Sequence, residues 1–78
     1  MTGIPVAPKS LESALSYVAA GGQLAIATAY RVTIIEQKHI DRWAKYGKPL
    51  LREEGDGYRM QTGNSSIYLF PGQLAMIK

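Results

Sequence analysis

Lys38, Arg42 and Lys45 recur at i, i+4 and i+7 within the stretch Gln37 to Tyr46. On a helix that spacing aligns three cations along one face. Like charges at i, i+4 cost roughly a few tenths of a kcal/mol, so helix stability alone does not ask for Lys38 beside Arg42. A basic stripe next to Tyr46 and His39 is chemistry for holding something acidic, either a phosphate backbone or a carboxylate-rich protein surface. The opposite face carries Ile40, Trp43 and Ala44 and reads as core. A plainer reading makes the stripe a solvated face, with Asp41 pairing Lys45 at i, i+4.

The other reactive side chains are too few to build a catalyst. Glu36-x-x-His39 has the half-site spacing of a di-iron helix, but such a site needs further carboxylates and a second copy of the motif. The chain holds one histidine and no cysteine. Glu36 and His39 therefore read as the acidic start of a helix and a surface histidine. His39 and Asp41 are two apart and do not share a helix face. Glu53 and Glu54 are neighbours on a strand and point to opposite sides, so they cannot work as a carboxylate pair. Gly55-Asp56-Gly57 precedes a strand, whereas a phosphate loop opens a helix. A nucleophile at Ser65 or Ser66 would depend wholly on His39. The expectation is a non-enzymatic chain with no catalytic residue, metal or cofactor.

Aromatics offer a second binding mode. Tyr30, Arg31, Tyr58, Arg59 and Tyr68 alternate rings with guanidinium groups, as on sheets that stack nucleic-acid bases. No glycine-aromatic RNA-binding signature accompanies them, and alternate strand residues face opposite ways. Trp43 shares the apolar face of its helix and is expected in the core, while Tyr17 lies near the buried stripe of the first helix.

The elements that would carry these residues follow from the hydrophobic pattern. Residues 1–9 contain Pro5 and Pro8 and read as an extended, mobile arm, leaving 10–78 as the single domain. They lack the charged segment followed by an apolar one that marks a signal peptide. Ser10 is a good N-cap, and Leu11, Ala14, Leu15 and Val18 follow helical spacing up to Gly21-Gly22. From Gln23 to Ile35 the pattern predicts one long strand, with Leu24, Ile26, Thr28, Tyr30, Val32 and Ile34 facing the helices. Ala25, Ala27 and Ala29 would form a smooth opposite face open to close packing or to another subunit. Thr33-x-x-Glu36 also fits a capping box, but the run of β-branched residues from Val32 to Ile35 favours a strand. The second helix ends at Gly47, and Pro49 prevents its resumption.

A β-meander should follow. Its strands are Leu50–Glu54, Tyr58–Thr62 and Ser66–Phe70, with Leu74–Ile77 as a short edge strand and turns at Gly55-Asp56-Gly57, Gly63-Asn64 and Pro71-Gly72. The predicted fold class is α+β: an antiparallel sheet made of the long first strand and the C-terminal meander, with both helices on one face.

Composition bounds the rest. The chain has 78 residues, 46% hydrophobic and 19% charged, which suits one globular domain and not a disordered one. A domain of this size buries roughly 60% of its unfolded surface. Without cysteine, no disulfide or thiolate zinc site can staple it, and a reducing cytoplasm is the expected compartment. No apolar run approaches a membrane span. The net charge of +3 is mild. It permits an acidic partner without requiring one.

The tail Gly63-Asn64-Ser65-Ser66-Ile67-Tyr68-Leu69-Phe70-Pro71-Gly72-Gln73-Leu74 resembles the end of small phage-encoded inhibitors of type I CRISPR complexes. There too a glycine-serine turn, an apolar strand and a Pro-x-Gln-Leu segment close a chain of similar length. The likeness covers this tail and carries no functional residue across. It implies an anti-CRISPR protein of a phage or mobile element, acting in the cytoplasm of a bacterial host. Its partner would be a host protein or ribonucleoprotein complex, blocked by occupation of a surface. Many such inhibitors are acidic DNA mimics. A basic chain would instead contact an acidic protein surface or nucleic acid held in the complex. The alternative is a sequence-nonspecific nucleic-acid-binding module, and a homo-oligomeric role is a third. The expected contact residues are Lys38, Arg42, Lys45, Tyr46, Arg31 and Arg59. A nucleic-acid partner predicts that the cations converge on one surface, whereas a protein partner predicts a mixed patch with aromatic or arginine anchors.

Overall fold

A computed structural model describes residues 3–78. The elements run β1 (Pro5–Val6), α1 (Leu11–Ala19), β2 (Gln23–Ala27), β3 (Val32–Ile35), α2 (Gln37–Ala44), β4 (Leu51–Glu54), β5 (Gly57–Thr62), β6 (Ser65–Leu69), a short 3-10 turn (Pro71–Gln73) and β7 (Leu74–Ile77). The class is α+β with antiparallel sheets, as expected. The single sheet expected is instead two, ordered β1-β7-β2-β3 and β4-β5-β6, because β7 leaves the meander to pair with β2.

Each helix boundary has a local cause. Ser10 accepts the Ser13 N–H and opens α1. At the other end, the Gly21 N–H reaches the Val18 carbonyl and the Gly22 N–H reaches that of Tyr17. That pair of bonds is a Schellman stop. It recurs after α2, where Gly47 donates to Ala44 and Lys48 to Trp43. Gly47 has φ +74°, a conformation that side chains resist and glycine tolerates.

One core serves both sheets. Leu24 and Ile26 of β2, Ile35 of β3, and Leu74 and Met76 of β7 supply one side. Leu51, Tyr58, Met60 and Leu69 supply the other, and Ala14 and Val18 of α1 join them. Helix α1 packs on β2, β4 and β7 and so bridges the sheets. Each fully buried aliphatic side chain contributes about 1.5–3 kcal/mol. Helix α2 buries no residue completely and holds to the core through Ile40 and Trp43. No helix among the described residues is long and apolar enough to cross a membrane.

The expected long strand from Gln23 to Ile35 is instead a hairpin. Ala27 pairs with Val32, and Thr28 with Arg31 closes the turn. The Thr28 N–H donates to the Arg31 carbonyl at 2.9 Å, and Thr28 Oγ1 bonds the same residue's carbonyl and N–H. A threonine side chain thus completes a turn that contains no glycine or asparagine. The turn also reverses which residues face inward. Leu24 and Ile26 are buried, yet beyond the turn Ile35 is buried while Tyr30, Val32 and Ile34 are exposed.

Two other segments depart from expectation. The last strand, expected at an edge, lies between β1 and β2, with Leu24 opposite Met76. Leu74 and Met76 belong inside the first sheet because they complete its apolar face. The arm expected to be mobile is paired over part of its length: Pro5 and Val6 lie against Ile77 and Met76, and Ile4 and Lys78 exchange backbone bonds. An outermost strand tolerates Pro5, since it needs bonds on one side only. Met1 and Thr2, also part of that arm, lie outside the described residues.

Candidate functional site

Strand β3 passes into α2 at Glu36. The Glu36 N–H donates to His39 Nδ1 at 2.9 Å. The Glu36 carboxylate accepts from Gln23 Nε2 at 2.8 Å and lies 3.5 Å from Lys38 Nζ. The Gln23 bond first, then the Lys38 charge, hold this carboxyl below its ordinary range. The spacing that suggested half of a metal site therefore builds a helix start. Among the described residues no group of three potential ligands comes together.

The basic stripe is exposed along α2. Lys38 is tied to Glu36, while Arg42 and Lys45 have no ion-pair partner among the described residues. Asp41 does not pair with Lys45; it accepts from Gln37 Nε2 at 2.9 Å, one turn toward the helix start. The stripe is thus less neutralised than the solvated-face reading required.

Beyond the stripe the Schellman stop folds the chain back on itself. The Trp43 carbonyl accepts from both Tyr46 and Lys48. Trp43 and Tyr46 meet edge to face with centroids 6.0 Å apart. Trp43 is only half-buried, which corrects its expected place in the core; α2 lies at the rim, so its apolar face is incompletely covered. Tyr46 is 72% exposed. These rings and Lys48 border an open cleft of about 510 Å³ that Gly63 and Asn64 of the β5–β6 turn also line.

Arg31 and Arg59 lie elsewhere. Arg59 is on β5, where Nε and Nη2 clasp the two carboxylate oxygens of Glu54 at 2.9 and 2.6 Å and Nη1 reaches Ser66. That clasp lowers the Glu54 carboxyl below its ordinary range and raises the guanidinium. Arg59 is thus already engaged as a cross-strand tie. Its cross-strand neighbour is Tyr68, whose ring meets Phe70 edge to face at 5.1 Å. A Cβ on Gly57 would strike the Leu69 carbonyl and the Tyr68 ring, so glycine is what lets this ring settle over the strand. Arg31 sits in the β2–β3 turn and borders a groove with Met60, Thr62 and Ile67.

The proposed stacking platform is not assembled. Tyr58 is buried, and burial first, then the Glu53 charge, raises its phenol above the ordinary value. Tyr30 and Arg31 belong to the other sheet's hairpin. The expected contact residues separate in the same way. Lys38 borders a cleft with Val18 and Gly21, Tyr46 borders the Trp43 cleft, and Arg31 borders the third, with no residue common to any two.

What the structure brings together at the end of α2 is Trp43, Tyr46 and Lys48, which line one cleft, with the exposed Arg42 and Lys45 adjacent to them in the chain. Tryptophan, tyrosine and arginine are the residues that most often anchor protein interfaces, each offering an apolar body and a polar tip. Sequence reasoning missed Lys48, Gly63 and Asn64. The only local signal was the alternation of rings and lysines from Trp43 to Lys48; the Gly63-Asn64 side depends on long-range folding. Comparison with protein-family models, with curated proteins and with solved structures finds no match.

Proposed function

We propose that this chain is a small non-catalytic binding protein that acts by occupying a surface of a partner protein through the end of α2. The observation that carries this reading is the Trp43–Tyr46 pair, with Tyr46 largely exposed and Lys48 beside it. Unpaired Arg42 and Lys45 add positive charge for an acidic partner. The withdrawal of Arg59 into a bond with Glu54 and the separation of Arg31 favour a mixed patch over a continuous phosphate track. With the tail resemblance, the partner class is a bacterial host machine such as a type I CRISPR effector complex, inhibited in the cytoplasm by a phage or mobile-element protein.

The test uses the full chain immobilised as bait in bacterial lysate, with and without nuclease. A protein retained after nuclease treatment, and lost with Tyr46→Ala and with the Arg42→Glu/Lys45→Glu pair, supports the reading. Retention that vanishes with nuclease replaces it with nucleic-acid binding.

A further inference from the structure

Strand β3 is an edge without the usual protection. Among the described residues it pairs with β2 on one side and with no strand on the other. Its four residues, Val32, Thr33, Ile34 and Ile35, are all β-branched, with no proline, charge or glycine to discourage a further strand.

The register shows which backbone groups are free. The Thr28 N–H donates to the Arg31 carbonyl, so residue 31 turns its polar backbone toward β2. Antiparallel pairing alternates such residues, so Thr33 and Ile35 also bond inward while Val32 and Ile34 present N–H and C=O outward. The next outward donor is the Glu36 N–H, which is already given to His39 Nδ1. The free edge is therefore two residues long.

We propose that β3 pairs antiparallel with β3 of a second copy, Thr33 opposite Thr33, joining the two four-stranded sheets across a two-fold axis. In this register Val32 of each copy exchanges both backbone bonds with Ile34 of the other, which satisfies every outward group of the free edge. Sliding by one repeat toward α2 would set Val32 against Glu36, whose donor is occupied, and sliding the other way would set Ile34 against Tyr30 in the turn. Charge selects the same arrangement. Arg31 precedes β3 and Glu36 follows it, so a parallel pairing would align like charges, while the antiparallel one sets Arg31 of each copy opposite Ile35 of the other and Glu36 opposite Tyr30. Val32 and Ile34, 62% and 41% exposed, meet across the seam, and Thr33 faces its own symmetry mate. This is an isologous interface, closed at two copies. It is also a small one, so the dimer should form at roughly micromolar concentration or above.

Sedimentation velocity on the full chain, over about a thousandfold range of concentration reaching the millimolar, should show a monomer giving way to a dimer and to nothing larger. Ile34→Lys places a charge at the seam and should keep the chain monomeric throughout. Val32→Pro removes only an outward N–H and should act alike; Ile34→Lys alone decides if that variant does not fold. Amide exchange on the unaltered protein supplies an independent reading. The Val32 and Ile34 amides should become protected as concentration rises, while Thr33 and Ile35 are protected at every concentration. A chain that stays monomeric, a dimer that survives Ile34→Lys, or a dimer whose Val32 and Ile34 amides remain fast overturns the proposal.

Discussion

The Glu36 backbone N–H and His39 Nδ1 are joined at 2.9 Å where β3 becomes α2. The bond starts the helix, and it also removes the last outward donor of an exposed edge. A histidine in the third helical position here does what glutamate or glutamine does in a capping box. His39→Ala leaves the Glu36 N–H without this acceptor and should destabilise the chain by about 0.5–2 kcal/mol. His39→Gln should recover most of the loss. Denaturant midpoints of the three proteins check both. Because the imidazole serves as a cap and no ligand cluster forms among the described residues, a chelator should leave the thermal midpoint unchanged.

Acid should weaken the β4–β5 hairpin. Arg59 holds the Glu54 carboxyl below its ordinary range, so the unfolded chain binds this proton more readily than the folded one. Stability from this pair is fully present above the unfolded value and is lost as pH falls through the folded one. Glu36 behaves in the same sense, through Gln23 and Lys38. Urea midpoints of the native chain and Glu54→Gln should therefore differ near neutral pH and converge only in acid, once the pH has fallen below the lowered value of the folded carboxyl. A difference that persists unchanged in strong acid would show that the clasp contributes nothing to stability.

Half-burial sets the cost of truncating Trp43. A fully buried tryptophan loses about 3–5 kcal/mol on truncation to alanine. At the rim, with one edge contact to Tyr46, Trp43→Ala should cost about 2 kcal/mol. Leu24, fully buried between β3 and β7, should cost more on truncation, about 3–5 kcal/mol. Paired unfolding curves test the order, and a larger loss at Trp43 than at Leu24 would place α2 deeper in the core than the structure has it.

The helices and the meander were legible because their signals are local: Ser10 opens α1, Gly21 and Gly47 close the helices, and Gly55 and Gly63 mark turns. The β2–β3 turn was not, since Thr28 makes it with its side chain and no glycine advertises it. A two-residue turn also switches the inward set from even to odd positions, so unbroken alternation concealed the reversal. The place of β7 depends on Leu24 meeting Met76 from the far end of the chain, which no local pattern carries. In the site, the stripe on α2 was readable from spacing. The capture of Arg59 was encoded only in the hairpin register: Arg59 opposes Arg52, which puts Glu54 on the neighbouring diagonal. The cleft beside Trp43 needs the Gly63–Asn64 turn, brought there by the fold of the second sheet.

Charge reversal on α2 separates folding from binding. Arg42 and Lys45 are exposed and have no ion-pair partner among the described residues, so Arg42→Glu with Lys45→Glu should leave the unfolding midpoint nearly unchanged. If the end of α2 is the contact surface, the same pair should weaken partner binding by about 2 kcal/mol or more, a hot-spot loss. A salt series then identifies the partner's chemistry. Each phosphate neutralised on a duplex adds about 0.9 to the slope of log affinity against log salt, so a nucleic-acid partner gives a steep fall. A packed protein surface anchored by Trp43 and Tyr46 gives a shallow one, because desolvated apolar contacts do not release counterions. Tyr46→Ala should then cost more affinity than Lys38→Ala, since Tyr46 lies in the cleft while Lys38 is already held by Glu36. If the doubly reversed protein folds and binds as before, the stripe is a solvated face, and contact does not run through Arg42 and Lys45.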